Sequence, residues 1–309
     1  MRRVPLGTTG LDVPNVVLGL MRIKDMADEE IRTLVGTALD HGIDFFDHAD
    51  VYGGPHTCER RFAEAMHLTS SQREKVVLQS KAGIVPSGPY FDFSAEHIVE
   101  SVDGSLAALG TEYLDVLLLH RPDALVEPEE VARAFDTLEA AGKVRAFGVS
   151  NQTPGQMELL RRYVRQPLVA NQVQLSITHA PLVAFGVASN MVGLDQSVDR
   201  DNGILDYCRL HDITVQAWSP LQAGFFTGTF LGSDDYPELN AVIDRLASRY
   251  GVTPLAIATA WITRHPAGMQ VILGTTNPGR VAEAAAGSDL PLTRPEWYEL
   301  FRAAGYLVP

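Results

Sequence analysis

Residues 44–52, DFFDHADVY, put four groups able to move or share a proton into six positions: Asp47, His48, Asp50 and Tyr52. The segment opens as a short apolar run and closes on Gly53-Gly54-Pro55, so it reads as a strand that spills into a polar turn. Two further apolar runs each end on one ionisable side chain, VVLQSK on Lys81 and LDVLLLH on His120. Singly these residues have ordinary explanations: a loop-capping Asp47, a snorkelling Lys81, a satisfied buried His120. Three strand ends that meet would instead put an acid, a phenol, an ammonium and an imidazole in one small volume.

A tyrosine, a lysine and an acid in one pocket make a proton donor for a carbonyl oxygen. A free phenol has a pKa of about 10, too high for efficient transfer near neutrality. A neighbouring ammonium favours the phenolate and lowers that value, and a carboxylate keeps the ammonium charged and in place. A histidine alongside can orient the carbonyl. The competing chemistry is a metal site built from Asp47, His48, Asp50 and His120, which the charge on Lys81 would oppose.

A second constellation lies near the C-terminus. ILGTTNPGRVAEA runs from an apolar stretch into a helix capped by Asn277, with Pro278 next and Arg280 in the first turn. Free amides at such a helix start bind phosphate, and a guanidinium can fork two phosphate oxygens. The alternative is an ordinary capped helix with an exposed arginine. Trp218, at the end of ITVQAWS, is either a stacking platform for a flat ring or a core aromatic.

These residues need elements to carry them. Residues 2–13 read as a hairpin turning on Gly7-Thr8-Thr9-Gly10. Eight apolar runs follow at 15–21, 43–47, 75–80, 114–120, 144–150, 168–174, 213–219 and 269–274. Their continuous Val and Leu content is that of strands buried on both faces. Helical patterns alternate with them, at 28–41, 94–109, 127–141, 154–163, 201–211, 254–264 and 278–287. An open doubly wound sheet would want G-x-G-x-x-G after its first strand, where this chain reads LGLMRIKDM. Eight alternations without that fingerprint predict a closed (β/α)8 TIM barrel with an N-terminal β-hairpin, one domain over residues 1–309. All C-terminal strand ends then meet at one face.

Two stretches exceed a minimal barrel: 176–200 after the sixth strand, and 222–250 after the seventh, with an extra helix over 237–250. Both are expected as long loops on the catalytic face, and the apolar residues of 176–200 (Leu182, Val183, Phe185, Met191) as a cover for a hydrophobic part of a substrate. Residues 294–304 read as a capped terminal helix.

The 309 residues are 46% hydrophobic and 20% charged, ordinary for a globule with a sizeable core. A formal charge of −13 argues against a nucleic-acid surface and an anionic membrane as partners. Cys58 and Cys208 lack the spacing of a disulfide framework or zinc site. The first residues, MRRVPLGTTGLDV, have no signal-peptide core, and no run reaches a membrane span, so a cytoplasmic location is expected.

In order, PLGTTGLDV, GIDFFDHADVYG, LQSK, LDVLLLHRPD, GKVRAFGVSN, NQVQ, AWSPL and GTTNPGRVAEA make the chain resemble the aldo-keto reductases over essentially its whole length. DHADVYGG with Cys58-Glu59 after it, together with LLLHRPD, is most similar to the YdhF-like bacterial oxidoreductase branch. The resemblance implies NADPH-dependent, metal-free reduction of aldehydes or ketones. It implies Tyr52 as proton donor, Lys81 and Asp47 as its tuning pair, and His120 as the substrate-orienting group. For NADP(H) it implies Met21 and Arg22 at the cofactor floor, Ser150, Asn151 and Gln172 on the carboxamide, and Trp218 stacked on the ring. Ser219 and Leu221 would lie along the pyrophosphate, Thr275 and Arg280 at the 2′-phosphate, and Glu283 at the adenine. The phosphate loop departs from the family pattern at Gly274, where many members carry lysine, and at Ala284, where asparagine is common. Potassium-channel β subunits share the fold and cofactor pocket, so a cofactor-binding regulatory subunit with little turnover is the alternative of a different class.

Overall fold

The computed structural model describes residues 1–224 and 227–309. Twelve strands are placed among them: β1 (Arg3–Pro5), β2 (Asp12–Pro14), β3 (Val16–Gly19), β4 (Phe45–Asp47), β5 (Val77–Ala82), β6 (Ile84–Val85), β7 (Tyr90–Phe91), β8 (Leu114–Leu119), β9 (Val144–Ser150), β10 (Leu168–Gln174), β11 (Thr214–Trp218) and β12 (Gln270–Leu273). Eight of these close into a parallel barrel in the order β10-β11-β12-β3-β4-β5-β8-β9. The eight apolar runs read from sequence are these eight strands, with ends differing by at most two residues; β5 runs on past the expected end to Ala82. Closure aligns the functional ends: Asp47 pairs with Gln79 across β4 and β5, and Gln172 with Ser150 across β10 and β9.

Alternation along each strand divides the core in two. Side chains such as Val17, Phe45, Val116, Leu118 and Ile272 fill the barrel interior, and Val4, Leu6 and Val13 of the hairpin join that same cluster. The hairpin therefore plugs one mouth of the barrel. Its turn approaches β10 so closely that a Cβ on Gly7, at φ +50°, would stand 2.7 Å from the Val169 backbone. The amide of Gly7 donates to Thr214 Oγ1 at 2.8 Å, and that hydroxyl donates to Pro5 O at 3.0 Å. The larger cluster joins the outward strand residues to the helical ring.

The expected helices are present, and several start as their sequences dictate. Ser94, Thr253 and Thr293 accept from backbone amides at the third helical position, and Pro154, Pro254 and Pro278 each open a helix. Sequence reading overlooked the crossover helix between β4 and β5, Thr57–Met66. Its buried face is Cys58, Glu59, Phe62 and Ala65, so a carboxylate interrupts the apolar stripe that marks a helix. The short helix Pro181–Val187 inside the 176–200 insertion was also missed. The loop expected over 222–250 includes Phe225 and Phe226, which lie outside the described residues; its extra helix spans Pro237–Tyr250 as read.

Of the insertion's apolar side chains, Leu182 and Val183 pack into the core, while Phe185 and Met191 stay partly exposed. The segment is tied to the C-terminal tail: Ala180 N donates to Tyr306 Oη at 2.7 Å, and Leu307 N to Gln196 Oε1 at 2.8 Å. No helix among the described residues is long and apolar enough to cross a membrane.

Candidate active site

The C-terminal mouth of the barrel opens into a cleft of about 860 Å³, within the usual range for small-molecule and cofactor sites. Every residue that the family resemblance assigns to the site lines it except Lys81, which lies buried beneath its floor.

Lys81 is the hub. From the end of β5, its Nζ donates to Asp47 Oδ1 at 2.8 Å, Asp47 Oδ2 at 2.7 Å, His48 O at 2.8 Å and Tyr52 Oη at 3.0 Å. Burial pulls the ammonium's pKa down, but Asp47 and Tyr52 outweigh it and hold the group above its ordinary value. The charged form of a buried lysine persists only with such partners.

For Tyr52 the sequence argument has the right sign for one contribution and the wrong sign for the sum. Burial pushes the phenol above its usual value; Lys81 pulls it down by charge and hydrogen bonding, and Asp47 pushes it up. The net direction is up, so the hydroxyl carries its proton at neutral pH. His120 stands edge-on to the Tyr52 ring, with centroids 5.7 Å apart. Burial, with Lys81 and Arg121 adding to it, holds this imidazole well below its ordinary pKa, so it is neutral.

Beneath this trio lies a layer of glutamines that sequence reading did not single out beyond Gln172. Gln79 and Gln172 donate to Asp47 Oδ1 at 2.6 and 3.0 Å, and both also donate to Gln216 Oε1. Gln216 donates in turn to Gln270 Oε1 at 2.9 Å, and Gln270 to Pro14 O at 2.7 Å. A buried carboxylate needs its lone pairs filled, and this relay fixes Asp47 from four strands. The available signal was a lone glutamine inside an apolar strand, in VVLQS, TVQAW and MQVIL.

His48 and Asp50 do not join the trio. The His48 ring stands edge-on to Phe62 of the helix behind the strand, 5.0 Å between centroids, and burial lowers its pKa to about 4. Asp50 is raised to about 7 by burial and by Glu59. Glu59 accepts from Ser80 Oγ at 2.5 Å and pairs with His56 Nδ1 at 2.7 Å, while His56 N donates to Asp50 O at 2.6 Å. This second polar cluster holds the turn that carries Tyr52. Among the described residues no three His, Cys, Asp or Glu side chains are placed to share a metal ion.

Farther along the cleft, Trp218 Nε1 donates to Asn151 Oδ1 at 3.0 Å, Asn151 Nδ2 to Ser150 Oγ at 2.7 Å, and Ser150 Oγ to Gln172 O at 2.8 Å. Asn151 and Ser219 both adopt left-handed backbone conformations, at φ +58° and +52°. Such strain in residues other than glycine persists where the surroundings over-determine it, commonly at ligand sites. At the far end, Arg22 Nη1 donates to Gly274 O at 3.1 Å, and the Arg280 side chain makes no ion pair among the described residues. The amides of Gly279 and Arg280 donate to Asn277 Oδ1, which corrects the expectation of free amides at this helix start. A long cleft with an aromatic face in its middle, strained turns beside it and guanidinium groups at one end suits a nicotinamide dinucleotide.

The description of the aldo/keto reductase family matches residues 15–303. The chain is 34% identical to the 6-dehydroglucose reductase of Agrobacterium fabrum, with 98% of each chain covered. It is 33% identical to oxidoreductase YdhF of Escherichia coli over the full length of both, the branch its motifs resemble. A probable voltage-gated potassium channel subunit beta of Oryza sativa is more distant, at 27% over 94% of this chain and 92% of its own. The crystal structure of the thermostable aldo-keto reductase Tm1743 in complex with the inhibitor epalrestat superposes with a TM-score of 0.79 at 25% identity, covering 98% of this chain and all of the other. With the barrel, the buried Lys81 hub and a family match over nearly the whole length, the chain belongs to the aldo/keto reductase family of oxidoreductases.

Proposed function

We propose that the protein reduces aldehydes or ketones to alcohols with NADPH, the barrel of residues 1–309 acting as one domain. The observation that carries this reading is the chain Asp47–Lys81–Tyr52, which emerges at the cleft beside His120. A bound nicotinamide cofactor supplies the hydride. Tyr52 gives its proton to the carbonyl oxygen, and Lys81 stabilises the phenolate left behind. Asp47, fixed by the glutamine layer, keeps Lys81 charged. Neutral His120 orients the carbonyl oxygen.

Met21 and Arg22 would form the cofactor floor, Ser150, Asn151 and Gln172 would meet the carboxamide, and Trp218 would stack on the ring. Ser219 and Leu221 would run along the pyrophosphate. Gly274, Thr275 and Arg280 would surround the 2′-phosphate, with Glu283 at the adenine. Arg22, through its contact with Gly274 O, brings a cation to the loop where many family members carry lysine. We place the protein in the cytoplasm, where the buried, unbridged Cys58 and Cys208 stay reduced.

The test is a panel of aldehydes, ketones, quinones and sugars scored by loss of NADPH absorbance, with NADH in parallel. Turnover that favours NADPH is the expected outcome. Tight NADPH retention with negligible turnover across the panel would overturn the catalytic reading in favour of a regulatory subunit.

A further inference from the structure

Arg121 directly follows His120 and lines the main cleft, yet none of the roles above uses it. Its guanidinium is half-buried, 5.4 Å from the centre of the Trp218 ring, and among the described residues it pairs with no carboxylate. Arg61, Arg73, Arg165 and Arg245, by contrast, all form ion pairs. Burial lowers the pKa of Arg121, as befits a partly desolvated cation without a counter-charge.

The same residue also lines a side pocket of about 230 Å³ that shares Arg121, Asn151 and Trp218 with the main cleft. The far wall comes from the 176–200 insertion, through His179, Pro181 and Leu182. Gln174 enters from the end of β10, and its Nε2 is buried with no hydrogen-bond partner among the described residues. Burial also keeps His179 below its ordinary pKa and so neutral. One acid is present, Asp201, whose Oδ1 already accepts from Gly203 N at 3.0 Å and Ile204 N at 3.2 Å. The pocket thus offers a guanidinium and an orphaned amide donor within a chain whose net charge is −13.

We propose that this side pocket is a substrate subsite for a carboxylate, so that the preferred substrates are carbonyl compounds bearing a carboxylate a few carbons from the reacting group. A carboxylate can take two parallel bonds from Arg121 and leave a lone pair for Gln174, which satisfies both unpaired donors. A hydroxyl or methyl group in that place leaves the guanidinium without a counter-charge. The inference rests on the reading of the main cleft as a carbonyl-reducing site.

The experiment compares 5-oxopentanoate with pentanal, matched aldehydes that differ in the terminal carboxylate. Wild type should favour 5-oxopentanoate in kcat/KM by about ten-fold or more, the scale of one charge-assisted hydrogen bond. Arg121→Gln should bring that ratio close to one, Gln174→Leu should reduce it in part, and Arg121→Lys should restore some of it. Calorimetric binding of pentanoate, with pentan-1-ol as the neutral control, reads the subsite without turnover and should weaken in the same order. Both aldehydes reduced at a ratio indifferent to Arg121 and Gln174 would overturn the subsite while leaving carbonyl reduction intact. Neither aldehyde reduced, with pentanoate still bound in an Arg121-dependent way, would instead overturn the carbonyl reading and support an anion site. Pentanoate binding indifferent to both residues overturns the subsite whatever the turnover.

Discussion

Replacing Tyr52 with phenylalanine removes one oxygen and keeps the ring that faces His120. Lys81 Nζ loses its 3.0 Å bond to the hydroxyl but retains both Asp47 oxygens, at 2.8 and 2.7 Å, and His48 O at 2.8 Å. The ammonium therefore stays paired, and the loss of stability is that of one hydrogen bond to a charged group, about 1.5–3 kcal/mol at most. Catalysis should suffer far more in proportion. A positioned general acid contributes roughly 10²–10⁴-fold, which corresponds to about 2.7–5.4 kcal/mol of barrier. Carbonyl-dependent NADPH consumption should fall by at least ~100-fold, while NADPH affinity, read by fluorescence quenching, stays within a few-fold. A variant with native circular dichroism and cofactor affinity that keeps turnover within ten-fold of wild type would refute the phenol as donor, and with it the reading of the site.

Lys81→Met should cost more stability than Tyr52→Phe, of the order of 3–5 kcal/mol, because it leaves Asp47 buried without its cation; the Gln79 and Gln172 bonds to Asp47 place the loss at the lower end, and a denaturant melt checks it. Arg280→Ala should weaken NADPH by roughly 1.5–3 kcal/mol and leave NADH nearly unchanged, since only the former carries a 2′-phosphate; equal losses in the two titrations would assign Arg280 a structural role. Asp50 gives a signed pH dependence. Its folded pKa of about 7 lies above the ordinary 3.8, so its stabilising contribution is full below the ordinary value and is lost as pH rises through about 7. The Tm advantage of wild type over Asp50→Asn should therefore shrink as pH rises from about 4 to about 7 and stay flat above that. An unchanged pH slope in Asp50→Asn would show that Asp50 ionises freely despite its burial.

The residues of the proposed site were legible because they break a pattern. Lys81 and His120 end apolar strands, and Asp47 and Tyr52 follow FF, so each contradicts the run around it. The barrel was legible for a related reason: strands buried on both faces read as continuous apolar runs, and helix starts carry their own caps at Ser94, Thr253 and Asn277. The crossover helix Thr57–Met66 escaped because Glu59 sits on its buried face, and a carboxylate there has meaning only through Ser80 and His56, distant or unpatterned in sequence.

What the sequence by itself determined is therefore the order of elements, the family and the side chains brought to one mouth, since periodicity, caps and local motifs are properties of neighbouring residues. The net protonation of Tyr52, the glutamine layer beneath Asp47 and an Arg121 and Gln174 side by side without partners among the described residues were decided only by the tertiary structure. Each depends on burial and on partners tens to more than a hundred residues away. Desolvation and long-range hydrogen bonds exist only once the barrel has closed around the groups concerned.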